Sequence, residues 1–321
     1  MFNGTFFKMN RCFKFLNIFF LIFIHSNLRC NEWKASLEFL VWNAEQSGAD
    51  NWGQVFENPN VNNNLTILDV PFGLNLGLRG SLTKSCRYFD SALRYTWYSI
   101  TGKRQASISS PGYITSAYMG NYYIGNADGS GLSGPKYRYA KMKWNISMNI
   151  IDYEFGTTYN ATKGIVLSPF VGIKGGTINQ TINTYWAEPT VGSFTAVEDL
   201  ENNFWGMGPS IGIHTSWQLF DRISLFANAT GALVVGRWTF MDIYKNTQPK
   251  EVIINNPSRW GVSPMLSIFM GFEYQLNCWS LHLGYESQLW FEQMKLDIYN
   301  LALMNNHLTV QGLTFGFDYK F

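Results

Sequence analysis

Charge is what this sequence has least of. Lys, Arg, Asp and Glu make up 14% of its 321 residues, where soluble chains carry about 25%. A fully hydrated exterior of ordinary extent is therefore excluded. Neither sign dominates: a net charge of +2 without a basic cluster gives no footprint for nucleic acid. Cysteines are few, four in all at Cys12, Cys30, Cys86 and Cys278, and their spacing suits no metal site. Beyond Ile24 no apolar run is long enough to cross a bilayer as a helix, and a mean hydropathy of −0.10 is too polar for a helical membrane protein. Aromatic residues, at 17%, and glycine, with 29 copies, are abundant instead. A chain poor in charge, rich in aromatics and middling in hydropathy fits a transmembrane β-barrel, which hides its apolar residues in alternation.

The single long apolar run is N-terminal. Lys8, Arg11 and Lys14 precede "FLNIFFLIFI", Phe15–Ile24, a charged stretch followed by an apolar one too short to span. This pattern predicts a secretory signal peptide over residues 1–29 and leaves 30–321 as a single outer-membrane barrel domain.

The remainder alternates with a period of two. Trp33, Ala35, Leu37, Phe39 and Val41 share one face, as do Leu68 to Leu78 at even positions. Phe89, Leu93, Tyr95 and Trp97 form a weaker set, and Ala140, Met142, Trp144, Ile146, Met148 and Ile150 a strong one. Similar faces run through 165–173, 205–219, 223–235, 260–276, 279–291 and the terminal 310–321, which makes ten segments. Short connections fall near 83–87, 156–163, 220–222 and 277–278. Long ones, rich in Gly and Asn, fall near 43–65, 101–136, 180–203, 239–258 and 292–307. That sorting predicts an all-β, antiparallel up-and-down barrel of about ten strands, with short periplasmic turns and long external loops. Twelve strands follow if "YITSAYMGNYYIG", 113–125, pairs within the wall. Trp205, Trp217, Trp260, Tyr274, Trp279 and Phe291 stand near strand ends, where interfacial girdles belong.

If every apolar face meets lipid, the alternate residues line the lumen. Arg79, Arg94, Lys141, Lys143 and Lys174 then face inward on strands two to five, and Glu273, Glu286, Glu292 and Asp318 on strands eight to ten. Opposed basic and acidic walls would set a transverse field across a pore. The alternative is that they pair across a filled lumen, since ten strands enclose little more than the eight that side chains fill. His214 near Ser216 invites a Ser–His reading, but both stand mid-strand, where a polar lining residue is the plainer account. No catalytic residue, metal or cofactor is expected. Cys30, Cys86 and Cys278 fall beside the short turns, on one side of the membrane. Cys86 and Cys278 are several strands apart, beyond the ~7 Å between Cα atoms that a disulfide spans.

"LEFLVWNAEQSG" (37–48), "WNISMNIIDYEFG" (144–156), "LSPFVGIKGGTINQ" (167–180), "NNFWGMGPSIGI" (202–213) and the terminal "VQGLTFGFDYKF" together resemble the porins related to the Legionella major outer-membrane protein, including porin-like proteins of chlamydia-related bacteria. The resemblance implies a pore-forming protein of the bacterial outer membrane and carries over no catalytic residue. This chain is short for a general porin. A last strand ending in Phe321 resembles the signature read by the barrel-insertion machinery, an expected partner beside outer-membrane lipid and small solutes. Similar chlamydial-type porins use periplasm-facing thiols for cross-linking, which implies self-association or a bridge from Cys30; free thiols at the turns are the alternative. Two functions follow as expectations. One is passive diffusion of small hydrophilic solutes or ions. The other is a closed structural or adhesin-like barrel acting through its external loops.

Overall fold

The structure, a computed structural model, describes residues 30–58, 62–86, 88–116, 136–188, 194–247, 251–294 and 307–321. The expected signal segment and most of 113–125 lie outside the described residues. The strands are β1 Cys30–Gln46, β2 Gly53–Asn58, β3 Asn62–Leu68, β4 Asn75–Cys86, β5 Asp90–Ser107, β6 Tyr113–Ser116 and β7 Tyr139–Gly156. They continue with β8 Tyr159–Thr162, β9 Ile165–Glu188, β10 Phe194–Phe220, β11 Ile223–Asn246, β12 Glu251–Leu276, β13 Trp279–Trp290 and β14 Leu308–Lys320. No helix among the described residues is long and apolar enough to cross a membrane.

Ten of these strands, β1, β4, β5, β7 and β9 to β14, pair antiparallel in a closed ring. The last strand meets the first from Lys34↔Lys320 to Gln46↔Leu308, and β9 meets β10 along its whole length. Closure leaves no unpaired edge for another chain to add to. β6 pairs with β2 in a separate sheet of order β3-β2-β6, so it adds nothing to the wall and the count is ten.

The outer face carries an apolar belt. On β12, Val262, Leu266, Ile268, Met270 and Phe272 are exposed, and on β14, Leu313, Phe315 and Phe317. Trp260 and Tyr274 bound the belt on β12, fourteen residues apart. At ~3.3 Å per residue and a tilt of ~45° that span rises ~30 Å, the thickness of a bilayer core. Below, Trp279 packs on Tyr319 at 4.2 Å and on Phe317 at 4.4 Å. Above, Trp205 and Trp260 meet edge to face at 5.6 Å. These are the two interfacial girdles.

The strands β9 to β12 run for 24 to 27 residues, against the ~9–11 that span a bilayer. Much of what reads as loop, 180–203 and 239–258, is therefore paired wall standing above the membrane. Chain expected to begin the second wall strand at Leu68 instead ends β3 there, and β4 starts at Asn75.

Above the belt the wall has water outside and packed side chains inside, so the apolar face must change sides. Pairs of consecutive apolar residues mark the crossing. Trp97 is exposed and Tyr98 buried, Ile151 exposed and Ile150 buried, Trp205 exposed and Phe204 buried, Val235 exposed and Val234 buried. Below each pair the apolar side chains point out to lipid, and above it they point in.

Candidate functional site

The inward apolar residues above that level form one contiguous buried cluster in the upper barrel. The wall contributes to it from nine of its ten strands, through Trp42, Tyr98, Trp144, Ile182, Phe204, Trp238, Met265, Trp290 and Val310. Trp42, Trp144, Trp186 and Trp290 are almost wholly buried. The tenth strand, β4, passes under the cluster at Gly77, where a side chain would collide with Tyr98 and the backbone of Trp97.

The small β2–β3–β6 sheet and its flanks complete this filling. Trp52 packs on Trp186 at 5.3 Å, and Tyr137 does so at 5.1 Å from another side. Leu68, Val70 and Ile114 are buried in the same cluster. Val70 N–H donates to Ala49 O at 2.7 Å, and Ile114 N–H to Tyr137 O at 2.7 Å, which ties the small sheet to the chain that enters β7. The chain after β13 also turns inward: Gln293 and Met294 are buried, and Gln293 O accepts from Asn202 Nδ2 at 2.9 Å and Trp238 Nε1 at 3.3 Å. Polar side chains enter it as well, and some pair in chains, as when Trp144 Nε1 donates to Gln180 Oε1 and Gln180 Nε2 to Gln46 Oε1, both at 3.1 Å. Burial pushes the Tyr137 hydroxyl well above the usual tyrosine range, with Tyr244 and Glu198 adding to the effect.

Beneath the cluster lies a charged layer. Arg79 is its hub. Its Nη1 and Nη2 donate to the two carboxylate oxygens of Glu286 at 2.8 Å each, and Nη1 donates also to Glu38 at 2.8 Å. Its Nε donates to Thr96 Oγ1 at 2.9 Å, and its guanidinium lies 5.3 Å from the centre of the Trp42 ring above. The fork-to-fork pairing suits a planar guanidinium, and a lysine here could not reproduce it. Because β14 and β1 stand between β13 and β4 in the ring, the Arg79–Glu286 pair reaches across part of the lumen. Arg94 binds Glu154 at 2.9 Å, Lys174 binds Asp152, and His214 Nε2 lies 2.9 Å from Glu154 Oε2 while its ring stacks on Phe170 at 4.6 Å.

Of the nine side chains expected to line a pore, Arg79, Arg94, Lys174, Glu273, Glu286 and Asp318 do face the lumen. The rest correct the expectation. Lys141 and Lys143 are exposed on the outer wall, because the apolar face of β7 above Ile150 packs inward. Glu292 is exposed at the turn after β13, with a φ of 52°. The opposed basic and acidic walls are joined directly through Arg79 and Glu286 rather than held apart by water. Sequence reasoning missed the clustered tryptophans. Their signal was the apolar doublets, which break a single lipid-facing phase.

At the periplasmic end a chamber of about 490 Å³ opens below the charged layer, with Ser85, Asp90, Thr157 and Lys320 at its mouth. His282 stands inside it, 3.4 Å from Asp318 and 3.6 Å from Glu38. It has room only because residue 316 opposite is glycine; a methyl group there would overlap the imidazole. Nearby, Cys86 is disulfide-bonded and stands opposite Cys30 in the β1–β4 ladder, whereas Cys278 is free and exposed. Among the described residues no group of His, Cys, Asp and Glu could hold a metal ion.

In overall shape the chain is similar to the outer membrane protease OmpT of Escherichia coli, with a TM-score of 0.51 and 9% identity over 93% of this chain and 99% of that one. Weaker likenesses include a major outer membrane protein of Thermus thermophilus, with a TM-score of 0.33 and 9% identity over 90% of this chain and 99% of that one. The toluene transporter TodX of Pseudomonas putida has a TM-score of 0.27 and 7% identity over 91% and 89%. At these identities the likeness to OmpT is one of fold. No curated protein matches the sequence. The family described by the Legionella pneumophila major outer membrane protein precursor matches residues 28–321. A closed ten-stranded barrel, an apolar belt between aromatic girdles and a match over nearly the whole chain have one reading: this is an outer-membrane protein, and it belongs to the Legionella major outer membrane protein family.

Proposed function

We propose that this protein is a barrel closed at rest, which works at the cell surface through its extracellular end and does not act as a standing diffusion pore. The observation that carries this reading is the apolar cluster that spans the upper lumen from nine wall strands. A hydrophilic solute crossing it would leave water for hydrocarbon-like surroundings, at a cost of several kcal/mol for each polar group left unpaired. Passive diffusion would require Trp52 and Tyr137 to part from Trp186 first, and both rings sit within 5.3 Å of it across the junction of cap and wall.

Catalysis forms no part of the proposal. Among the described residues, the His214 Nε2 that would serve as base is engaged by Glu154, and no serine hydroxyl is hydrogen-bonded to it. His307 Nδ1 accepts from the backbone of Glu292 at the exposed rim. The test is solute flux. Liposomes holding the folded protein should swell in isosmotic arabinose or glucose no faster than protein-free liposomes. Swelling that scales with protein content and falls with sugar size would overturn the closed reading in favour of a diffusion porin.

A further inference from the structure

Two lysines face each other on the outer wall where the strands rise above the membrane. Lys103 of β5 and Lys143 of β7 are directly paired in the antiparallel ladder, and both are exposed. Lys141, further up β7, is exposed on the same face. Like charges directly opposite in a ladder stand about 4.5–5.5 Å apart at Cβ and destabilise the sheet. The wall offers nothing to offset them. None of the three ammonium groups has an ion-pair or hydrogen-bond partner among the described residues. The pair below, Thr101 and Asn145, is neutral and closed on itself by a hydrogen bond of 2.9 Å. Along the ladder from Lys143 the first carboxylate is Asp199, which stands beyond Asn183 and accepts from that amide at 2.6 Å. Three cations held together without a counter-charge call for an anion from outside the chain.

Height selects the kind of anion. On β5 the lipid-facing side ends at Trp97, and the next outward residues, Ser99 and Thr101, are polar. Lys103 is six residues beyond Trp97, which puts it about 14 Å above the belt at ~3.3 Å per residue and a tilt of ~45°. Phospholipid headgroups add only about 5–7 Å to each side of the hydrocarbon, so their phosphates lie well below. The lysines also point sideways from the barrel. Their anion therefore stands beside the wall, carried upward from the membrane on something taller than a headgroup. Tyr185 pairs with Lys141 on the next strand, is 38% exposed and meets Tyr139 edge on at 5.9 Å. Its apolar ring face and polar tip suit a sugar ring. The outward neighbours of the lysines, Thr101, Gln105 and Asn145, are all polar, which leaves no apolar centre for a protein interface. We propose that Lys103, Lys141, Lys143 and Tyr185 form a docking site for the anionic saccharide of a glycolipid in the extracellular leaflet, with a sugar carboxylate or phosphate held between Lys103 and Lys143. The site is on the outer wall, so it is independent of whether the lumen is open or closed.

Native mass spectrometry of the folded protein with three lipids tests the assignment: lipid A bearing two keto-deoxyoctulosonate sugars, lipid A without them, and phosphatidylglycerol. The sugar acids stand above the lipid A phosphates, so the first lipid should bind at least roughly tenfold more tightly than the other two. Lys103→Gln, Lys141→Gln and Lys143→Gln together should abolish that preference, and Lys103→Arg, Lys141→Arg and Lys143→Arg together should keep it. Lys103→Gln alone gives a readout of opposite sign in two conditions. It should raise the urea midpoint in neutral micelles, because the like-charge pair is relieved, and lower it relative to wild type when the sugar-bearing lipid is present. Equal binding of all three lipids by the wild type, a folded triple glutamine variant that keeps the preference, or a Lys103→Gln shift of the same sign in both conditions would overturn the proposal. So would a wild-type dimer that the glutamine substitutions dissociate without changing lipid binding, which would assign the lysines to a contact between copies.

Discussion

Arg79 shows how much a single inward side chain carries in this barrel. It is 5% exposed, and its guanidinium holds together Glu38 from β1 and Glu286 from β13. Burying three charges is worthwhile only while all are paired, so the cost appears when one partner is removed. Arg79→Met should therefore destabilise the folded barrel by about 3–5 kcal/mol, because it strands two carboxylates in a dry layer. Adding Glu38→Gln and Glu286→Gln should recover most of that loss. Urea titration read by the gel shift between folded and unfolded barrel would measure both variants. A single substitution as stable as the wild type would show that the layer is wet. At the same scale, Ile211 is two-thirds exposed in the middle of the belt, and Ile211→Arg should cost about 2–4 kcal/mol in a bilayer. In detergent micelles, whose shell adapts to a charge, the penalty should shrink, and an equal penalty in both would remove Ile211 from the lipid face.

At the scale of a strand, β7 is the informative case. Its upper part has Met142, Trp144, Ile146 and Met148 inside and Lys141, Lys143, Asn145 and Ser147 outside, while below Ile150 the apolar residues pass to the outer face as Ile151, Tyr153 and Phe155 and the inner face becomes Asp152 and Glu154. A cysteine at Lys143 should react with a membrane-impermeant maleimide on intact cells, and one at Ile146 should not. The reverse pattern would restore a uniform phase and open the lumen. This strand also marks the limit of what the sequence makes legible. Alternation, turn lengths and the closing strand identify the barrel and its orientation and point to about ten strands, while the twelve-strand alternative stays open until β6 is seen to pair with β2 outside the wall. Which side an apolar face meets is not local. Lipid outside and a packed cluster inside demand the same residues, and only the Ile150–Ile151 doublet distinguishes them. For the same reason Arg79, Glu286 and Asp318 were readable as inward charges, but the Arg79–Glu286 pairing across the lumen was not, since it depends on residues brought together from 207 positions apart. The cap was hidden in the same way: β2, β3 and β6 are 4 to 7 residues long and lie in segments whose composition is that of loops.

The whole molecule is a stack of three levels within one wall. A periplasmic chamber opens at the bottom, a layer of paired charges crosses the middle, and an apolar cluster with a small sheet seals the top. The membrane belt surrounds the lower levels and the foot of the seal around Met265, and long strands carry the rest of the seal above it, which is why β9 to β12 far exceed the length a bilayer requires. Such a division lets the outer wall obey the membrane while the inner packing obeys the rules of a soluble core. It also makes the seal the feature on which the functional reading depends. The most direct test is electrical: purified, folded protein in a planar lipid bilayer, recorded at moderate voltage in potassium chloride after insertion has been verified by protease protection. The closed barrel predicts a silent membrane, with no stepwise conductance attributable to the inserted protein. Regular steps of uniform size from the wild-type chain, persisting at low voltage, would mean that water fills the lumen where the tryptophans are packed, and would contradict the account.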